Sequence, residues 1–218
     1  MRPRALEPSG IILVDKPPGP SSFAIVAAVR LRTGARTGHA GTLDPFASGL
    51  LLLLSGAATK LQPRFVGLDK RYATAIDLSA RTTTGDPEGD VLEEHDPPAQ
   101  DELDKRLVEL QGIVELPVPA ASAVKIGGER AYRLHRRGVT VEMPVRRSNV
   151  HELSLESYED GVARVELLVS SGTYVRAIAD ALGGHCVSLR RTAIGPFGVD
   201  EADDRHVIPP DEALARLA

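Results

Sequence analysis

The chain predicts an α+β fold built on a mixed, mostly antiparallel central sheet flanked by helices and loops. Three observations carry that expectation. Segments with strand patterning outnumber those with helical periodicity, the two kinds do not alternate regularly, and no internal repeat or low-complexity tract interrupts them.

The elements follow in order. "GIILVDKPPG" reads as a short buried strand that Pro17 and Pro18 stop. "SSFAIVAAVRLRTG" reads as a helix capped by Ser21 or Ser22, with an apolar face of Phe23, Val26, Ala27 and Val29 to Leu31, and ended by Gly34. "GLLLLLSG" is apolar throughout, so periodicity does not separate strand from helix there. "RYATAIDLSART" sets Tyr72, Thr74, Ile76 and Leu78 against Ala73, Ala75, Asp77 and Ser79, the period of a half-buried strand. "TGDPEGDVLEEHDPPAQ" is a long polar loop, and its first residues lack the spacing and terminal glutamate of a calcium loop, so they read as a turn. "DELDKRLVELQG" is a helix with Leu103, Leu107 and Leu110 on one side, and "GERAYRLHRRG" a short basic helix closed by Gly138. "VARVELLVSSG" is a strand, "TYVRAIADALGG" a helix with Val175, Ile178 and Leu182 inward, and "IPPDEALARLA" a short helix.

A hydrophobic content of 42% suffices for a sizeable core. The apolar run Leu50 to Leu54 is far short of the roughly 20 residues that span a bilayer, and "MRPRALEPSG" lacks the apolar centre of a signal peptide. No membrane association is expected, and the expected location is the cytoplasm. One cysteine, Cys186, excludes an internal disulfide and a cysteine metal cluster, and the 6 histidines show no metal-ligand spacing, so no metal is expected. The net charge of −4 conceals a segmental pattern. Residues 1–64 carry 8 basic and 3 acidic groups, 65–110 carry 5 and 12, 111–151 carry 7 and 3, and 152–218 carry 6 and 12. Two basic blocks separated by acidic ones are compatible with a basic face for a polyanion, and equally with ordinary charge variation.

Candidate chemistry gathers in two stretches. In "GHAGTLDPFASGLL", Asp44 precedes Pro45, the common arrangement of an N-cap followed by proline at the first helical position. The same aspartate sits among His39, Thr42 and the glycines Gly38, Gly41 and Gly49, which allow a backbone or a ligand to approach where a Cβ would obstruct. In "SSGTYVRAIADALGG", Tyr174 and Arg176 open a helix just after a strand. Arg176 is an ordinary surface arginine unless it meets a carboxylate, which it would then keep ionised. Tyr72, one of 4 tyrosines in a chain with 4 phenylalanines and no tryptophan, either fills the core or serves as a stacking platform for a base. Lys60, Arg64, Lys70 and Arg71 near it would suit a phosphate backbone.

The segments "GIILVDKPPGPSSF", "GHAGTLDPFASGLL", "KRYATAIDLSARTTTGDPEGD", "PAASAVKIGGERAYRLHRRG" and "SSGTYVRAIADALG", in this order and at these distances, closely resemble the TruB family of tRNA pseudouridine synthases. The resemblance covers roughly residues 10–195 and implies the pseudouridine synthase fold, with an active-site cleft across the sheet. It also implies isomerisation of a uridine in the TΨC loop of tRNA, without cofactor or obligate protein partner. Asp44 matches the family's essential aspartate, Tyr72 the tyrosine that stacks on the target base, and Arg176 the arginine that pairs with the aspartate. His39 matches the histidine associated with the extruded nucleotide, Lys16 with Pro17 a pair that supports the site, and Leu189 an apolar residue lining the pocket. Gly41, Thr42, Lys60, Lys70, Arg71 and Tyr174 are the further substrate-binding candidates.

This chain departs from the family pattern in places. Ser171 stands where lysine is frequent, and Ala121 where tyrosine is common. Residues 1–200 are expected to form the catalytic domain and 201–218 a short tail, with the family's RNA-binding PUA domain truncated or absent and tRNA affinity correspondingly weaker. Two other readings share these residues: a protein that binds and refolds tRNA without modifying it, and an isomerase acting on another RNA.

Overall fold

An apolar strand followed by a helix begins the computed structural model, which describes residues 9–217. Strand β1 (Gly10–Lys16) leads to α1 (Ser22–Thr33), β2 (Thr37–His39), β3 (Ser48–Ser55) and, after a 3-10 turn, α2 (Gln62–Val66). Next come β4 (Lys70–Asp77), the short pair β5 (Ala80–Thr82) and β6 (Val91–Glu94), α3 (Gln100–Glu109) and β7 (Gly112–Pro117). The two-residue strands β8 (Lys125–Ile126) and β9 (Glu129–Arg130) and helix α4 (Ala131–Arg136) precede the long hairpin of β10 (Val145–Glu159) and β11 (Val162–Val169). Helix α5 (Val175–Ala181), β12 (His185–Ile194), β13 (Phe197–Gly198), β14 (Asp203–Ile208) and α6 (Pro210–Ala215) follow. No helix among the described residues is long and apolar enough to cross a membrane.

These elements form two compact units, one of residues up to Tyr72 with Arg190 onward, the other of Ala73–Leu189. The division falls inside β4 and β12, so each of those strands contributes to both.

In the first unit the strand order is β14-β1-β3-β12, with β2 also on β3. β1 pairs antiparallel with β14 and β3, while β3 and β12 run parallel, which makes the sheet mixed and mostly antiparallel. The ambiguous leucine run is β3, and both of its faces are covered. Leu50, Leu52 and Leu54 pack with Ile11, Leu13, Phe65, Phe197 and Ile208, whereas Leu51 and Leu53 pack with Ile12, Val14, Val26 and Val29. A period of two that is apolar on both faces reads as an unbroken run, which is why the sequence alone left it undecided.

Helix α1 begins at Ser21, whose hydroxyl accepts from the Ala24 amide at 3.2 Å, and ends at Gly34 in the left-handed region at φ 68°. Its buried face is Ser22, Val26 and Val29. Phe23 and Leu31, expected inward, are 75% and 88% exposed, because the i, i+4, i+7 stripe that starts at Ser22 turns its neighbours away from the sheet.

In the second unit the order is β12-β4-β11-β10-β7. The β10–β11 hairpin turns through Asp160 and Gly161 and buries Val150, Leu153, Val165, Leu167 and Val169. α3 packs on β10 through Leu103 and Leu107. α5 is buried from Val175 through Ala179, an apolar turn into which Arg176 is drawn.

Candidate functional site

The Asp44 stretch is not a helix start. Pro45 and Phe46 form a bend, and Ser48 already belongs to β3, so the capping arrangement is not realised. The strand follows too soon for a helix to form, and neighbouring groups take up the loop's backbone polar atoms instead. Ser22, buried at the start of α1, uses its hydroxyl twice at 2.8 Å: it donates to the Leu43 carbonyl and accepts from the Leu43 amide. The fully buried Lys16 ammonium donates to the carbonyls of Pro17, Pro20 and Pro45 at 2.8, 2.8 and 3.2 Å. The Gly19 amide donates to the same Pro45 carbonyl at 2.7 Å, and the Ala47 amide to the Asp44 carbonyl at 3.2 Å.

A third anchor comes from far along the chain. Arg191 on β12 is 1% exposed, and its guanidinium donates to the carbonyls of Leu50, Thr42 and Gly41 at 2.7, 3.3 and 3.1 Å. Gly49 makes the approach of β12 sterically feasible. Its φ is 101°, and a Cβ there would lie 2.2 Å from the Arg191 carbonyl oxygen. The glycine reserves space for backbone, one of the two uses that the sequence allowed. Gly41, at φ 119°, lies over the tips of Arg191 and Lys70.

Three cations and a histidine therefore crowd beneath this loop, and their protonation reflects it. Burial pushes the Lys16 ammonium below its ordinary value; the Asp44 carboxylate opposes the shift and Arg191 adds to it. Lys70, 5% exposed, is lowered to about 8, first by burial and then by Arg191, with Asp69 opposing. Its ammonium donates to the carbonyls of Val66 and Leu68. Lys70 is thus buried structure, unlike the phosphate-facing lysine that the sequence suggested. His39, on β2, is lowered by burial and by Arg191, which favours the neutral ring. Its Nδ1 accepts from the Gly41 amide at 3.3 Å, so the ring proton belongs on Nε2. The exposed Phe23 meets that ring edge-on at 6.0 Å.

Tyr72, on β4, is 8% exposed. Thr42 and Lys60 are exposed, and Arg71 is half-buried.

In the second unit Arg176 is also a collector of polar groups. It is 2% exposed and donates to the Thr84 carbonyl at 2.6 Å and the Ala121 carbonyl at 3.0 Å, and its Nη1 lies 3.3 Å from Asp86 Oδ2. Asp86 in turn accepts from the Thr84 hydroxyl at 2.5 Å and the Glu88 amide at 3.0 Å. The acidic "TGDPEGD" segment is therefore a turn, as its sequence suggests, but one that turns a buried carboxylate toward Arg176. Tyr174 caps α5, with the Arg146 guanidinium 5.8 Å from its ring centroid. Leu189 is 6% exposed on β12.

Sequence reasoning missed Arg191, Ser22 and Asp86 as organisers of these surroundings. "SLRRT" offers two adjacent arginines, and only the alternation of β12 separates the inward Arg191 from Arg190, which pairs with Asp15 at 2.7 Å and is partly exposed.

Comparison with solved structures defines the class. A chain of a crystallised Cbf5-Nop10-Gar1 complex matches with a TM-score of 0.69 at 27% identity, over 92% of this chain and 53% of that one. This chain thus spans about half the length of that neighbour. A crystallised pseudouridylate synthase matches with a TM-score of 0.53 over 98% of this chain and 76% of that one; at 18% identity the likeness concerns the fold alone. The fold is that of the pseudouridine synthases.

Sequence comparison narrows the class. The TruB family pseudouridylate synthase (N terminal domain) model matches residues 29–175. The tRNA pseudouridine synthase B of Mycobacterium sp. (strain KMS) is 42% identical over 208 residues, covering 88% of this chain and 69% of the relative. That of Leifsonia xyli subsp. xyli (strain CTCB07) is 40% identical over 222 residues, covering 94% and 74%. The chain belongs to the TruB family of pseudouridylate synthases, which are isomerases.

Proposed function

We propose that this chain converts a uridine in the TΨC loop of tRNA to pseudouridine, with Asp44 as the essential carboxylate. The substrate class is supported by relatives named tRNA pseudouridine synthase B at about 40% identity, and the loop by the family resemblance of the "GHAGTLDPFASGLL" segment. The observation that carries the assignment is the anchoring of the Asp44 loop by Ser22, Lys16 and Arg191. Three buried groups hold a non-helical turn whose aspartate caps no helix, which is the economy expected of a positioned functional side chain.

The reaction breaks the C1′–N1 glycosidic bond, turns the uracil and joins C1′ to C5, after which N1 holds a proton and C5 has lost one. Positive charge builds on the sugar as the first bond breaks. A carboxylate at Asp44 can stabilise that charge, capture the sugar covalently, or relieve it by taking a proton. The target base must leave the loop's stack at a cost of a few kcal/mol, and stacking on Tyr72 offsets part of it. Arg176 is assigned, from the resemblance, to hold the aspartate ionised; His39, as a neutral ring, is assigned to the nucleotides around the vacated position.

The direct test is incubation with unmodified tRNA followed by chemical labelling of pseudouridine, repeated with Asp44→Asn. Product in the TΨC loop from the unsubstituted protein and none from the variant is expected. Absence of product from the unsubstituted protein would leave a tRNA-binding role, and product at other RNA positions would redirect the substrate. Arg176→Ala should lower turnover far more than tRNA affinity.

A further inference from the structure

We propose that Arg191 is a positioning residue for the reaction: its guanidinium fixes the backbone of the loop that presents Asp44, an inference that rests on the function proposed above. The side chain is among the largest that the fold buries completely, at 1% exposure, and it is a charged one. A buried guanidinium with no role would be costly, so its partners indicate its use. They are backbone carbonyls of Gly41, Thr42 and Leu50, which bracket Asp44 on both sides in sequence. Nε serves β3, while Nη1 and Nη2 serve the loop, so one planar fork ties the loop to the strand that follows it.

The backbone around Arg191 is shaped to receive it. The Arg191 backbone is registered against Gly49 in the parallel β3–β12 pair, and Gly49 has its left-handed conformation in direct contact with the Arg191 carbonyl. Gly41, whose own φ is 119°, would place a Cβ 3.7 Å from Arg191 Nη1. Two glycines thus accommodate the backbone and the tip of one arginine, and the aspartate lies between them in sequence. Lys16 holds the loop at Pro45 and Ser22 at Leu43, so removing Arg191 frees the segment before Leu43 and leaves the rest tethered. A lysine at 191 would keep the charge but lose the fork.

The experiment compares the unsubstituted protein with Arg191→Lys and Arg191→Met, using single-turnover pseudouridine formation, tRNA dissociation constants, melting temperatures and amide hydrogen exchange. A displacement of about 1 Å at a reacting group lowers rates by roughly 100-fold. The expected result is a single-turnover loss of that order in Arg191→Met, a smaller loss in Arg191→Lys, tRNA affinity within about threefold by the same expectation, and faster exchange at the Gly41 amide while the Leu43 amide stays held by Ser22. Unchanged turnover in a folded variant, or a loss confined to affinity, would overturn the proposal. If Arg191→Met does not fold, Arg191→Lys carries the comparison. In the unsubstituted protein, exchange at the Gly41 amide as fast as in an open loop would by itself overturn the proposal. An unsubstituted protein without activity, yet with exchange that quickens in the variants, would instead sink the function proposed above and leave the anchor intact.

Discussion

Lys70 is the residue whose buried charge makes a measurable statement about stability. Its folded value of about 8 lies below its ordinary 10.5. Between those values the native state has released a proton that the unfolded chain still holds, so unfolding takes up a proton and stability rises with pH across that window. Below about pH 8 both states are charged and the burial cost is fully present. Urea midpoints at pH 7.5 and pH 9.5 should therefore favour the higher pH more in the unsubstituted protein than in Lys70→Met; an equal response would show that Lys70 does not titrate in that range. Gly49→Ala tests the neighbouring constraint. It imposes strain at φ 101° and a 2.2 Å approach to backbone that cannot give way, so a loss well above the roughly 1 kcal/mol of an ordinary strained glycine substitution is expected in chemical denaturation.

At the scale of elements, legibility followed the number of covered faces. β4 and β11 show alternation in sequence, and both are strands of the second unit's sheet. β3 was illegible because α1 covers one face and Phe65, Phe197 and Ile208 the other. Leu52→Ala should cost about 2–5 kcal/mol in denaturation, the value for a fully buried leucine, and a smaller loss would mean that the second face collapses into the gap. The Asp44 turn was legible as a special loop through its glycines, yet its anchors were not, since Ser22, Lys16 and Arg191 are brought to it by pairing between distant segments. The turn around Asp86 was similarly misleading: its exposed acidic neighbours obscured a carboxylate of 6% exposure facing Arg176. Asp86→Ala should destabilise on the order of 3 kcal/mol, as when one partner of a buried pair is removed, whereas a loss below about 1 kcal/mol would mark the pair as incidental.

For the whole molecule, charge by segment proved a coarser guide than composition suggested. Of the basic groups in the first block, Lys16 is buried and Arg32 pairs with Asp204 at 2.6 Å, so the block's excess is not all available at the surface. Lys60 and Arg64 remain exposed, which makes them better phosphate candidates than Lys70. Replacing both with alanine should flatten the salt dependence of tRNA binding by about 0.7–0.9 in log–log slope for each phosphate that is no longer neutralised, and an unchanged slope would move the RNA face elsewhere. The hydrogen bonds of Arg191 also bear on the order of events during synthesis. The residues it holds precede it by 141 to 150 positions, so the Asp44 loop leaves the ribosome long before its anchor exists. At roughly 5–20 residues per second the delay is about 7–30 s, during which the loop's contacts with Lys16 and Ser22 can form but those with Arg191 cannot.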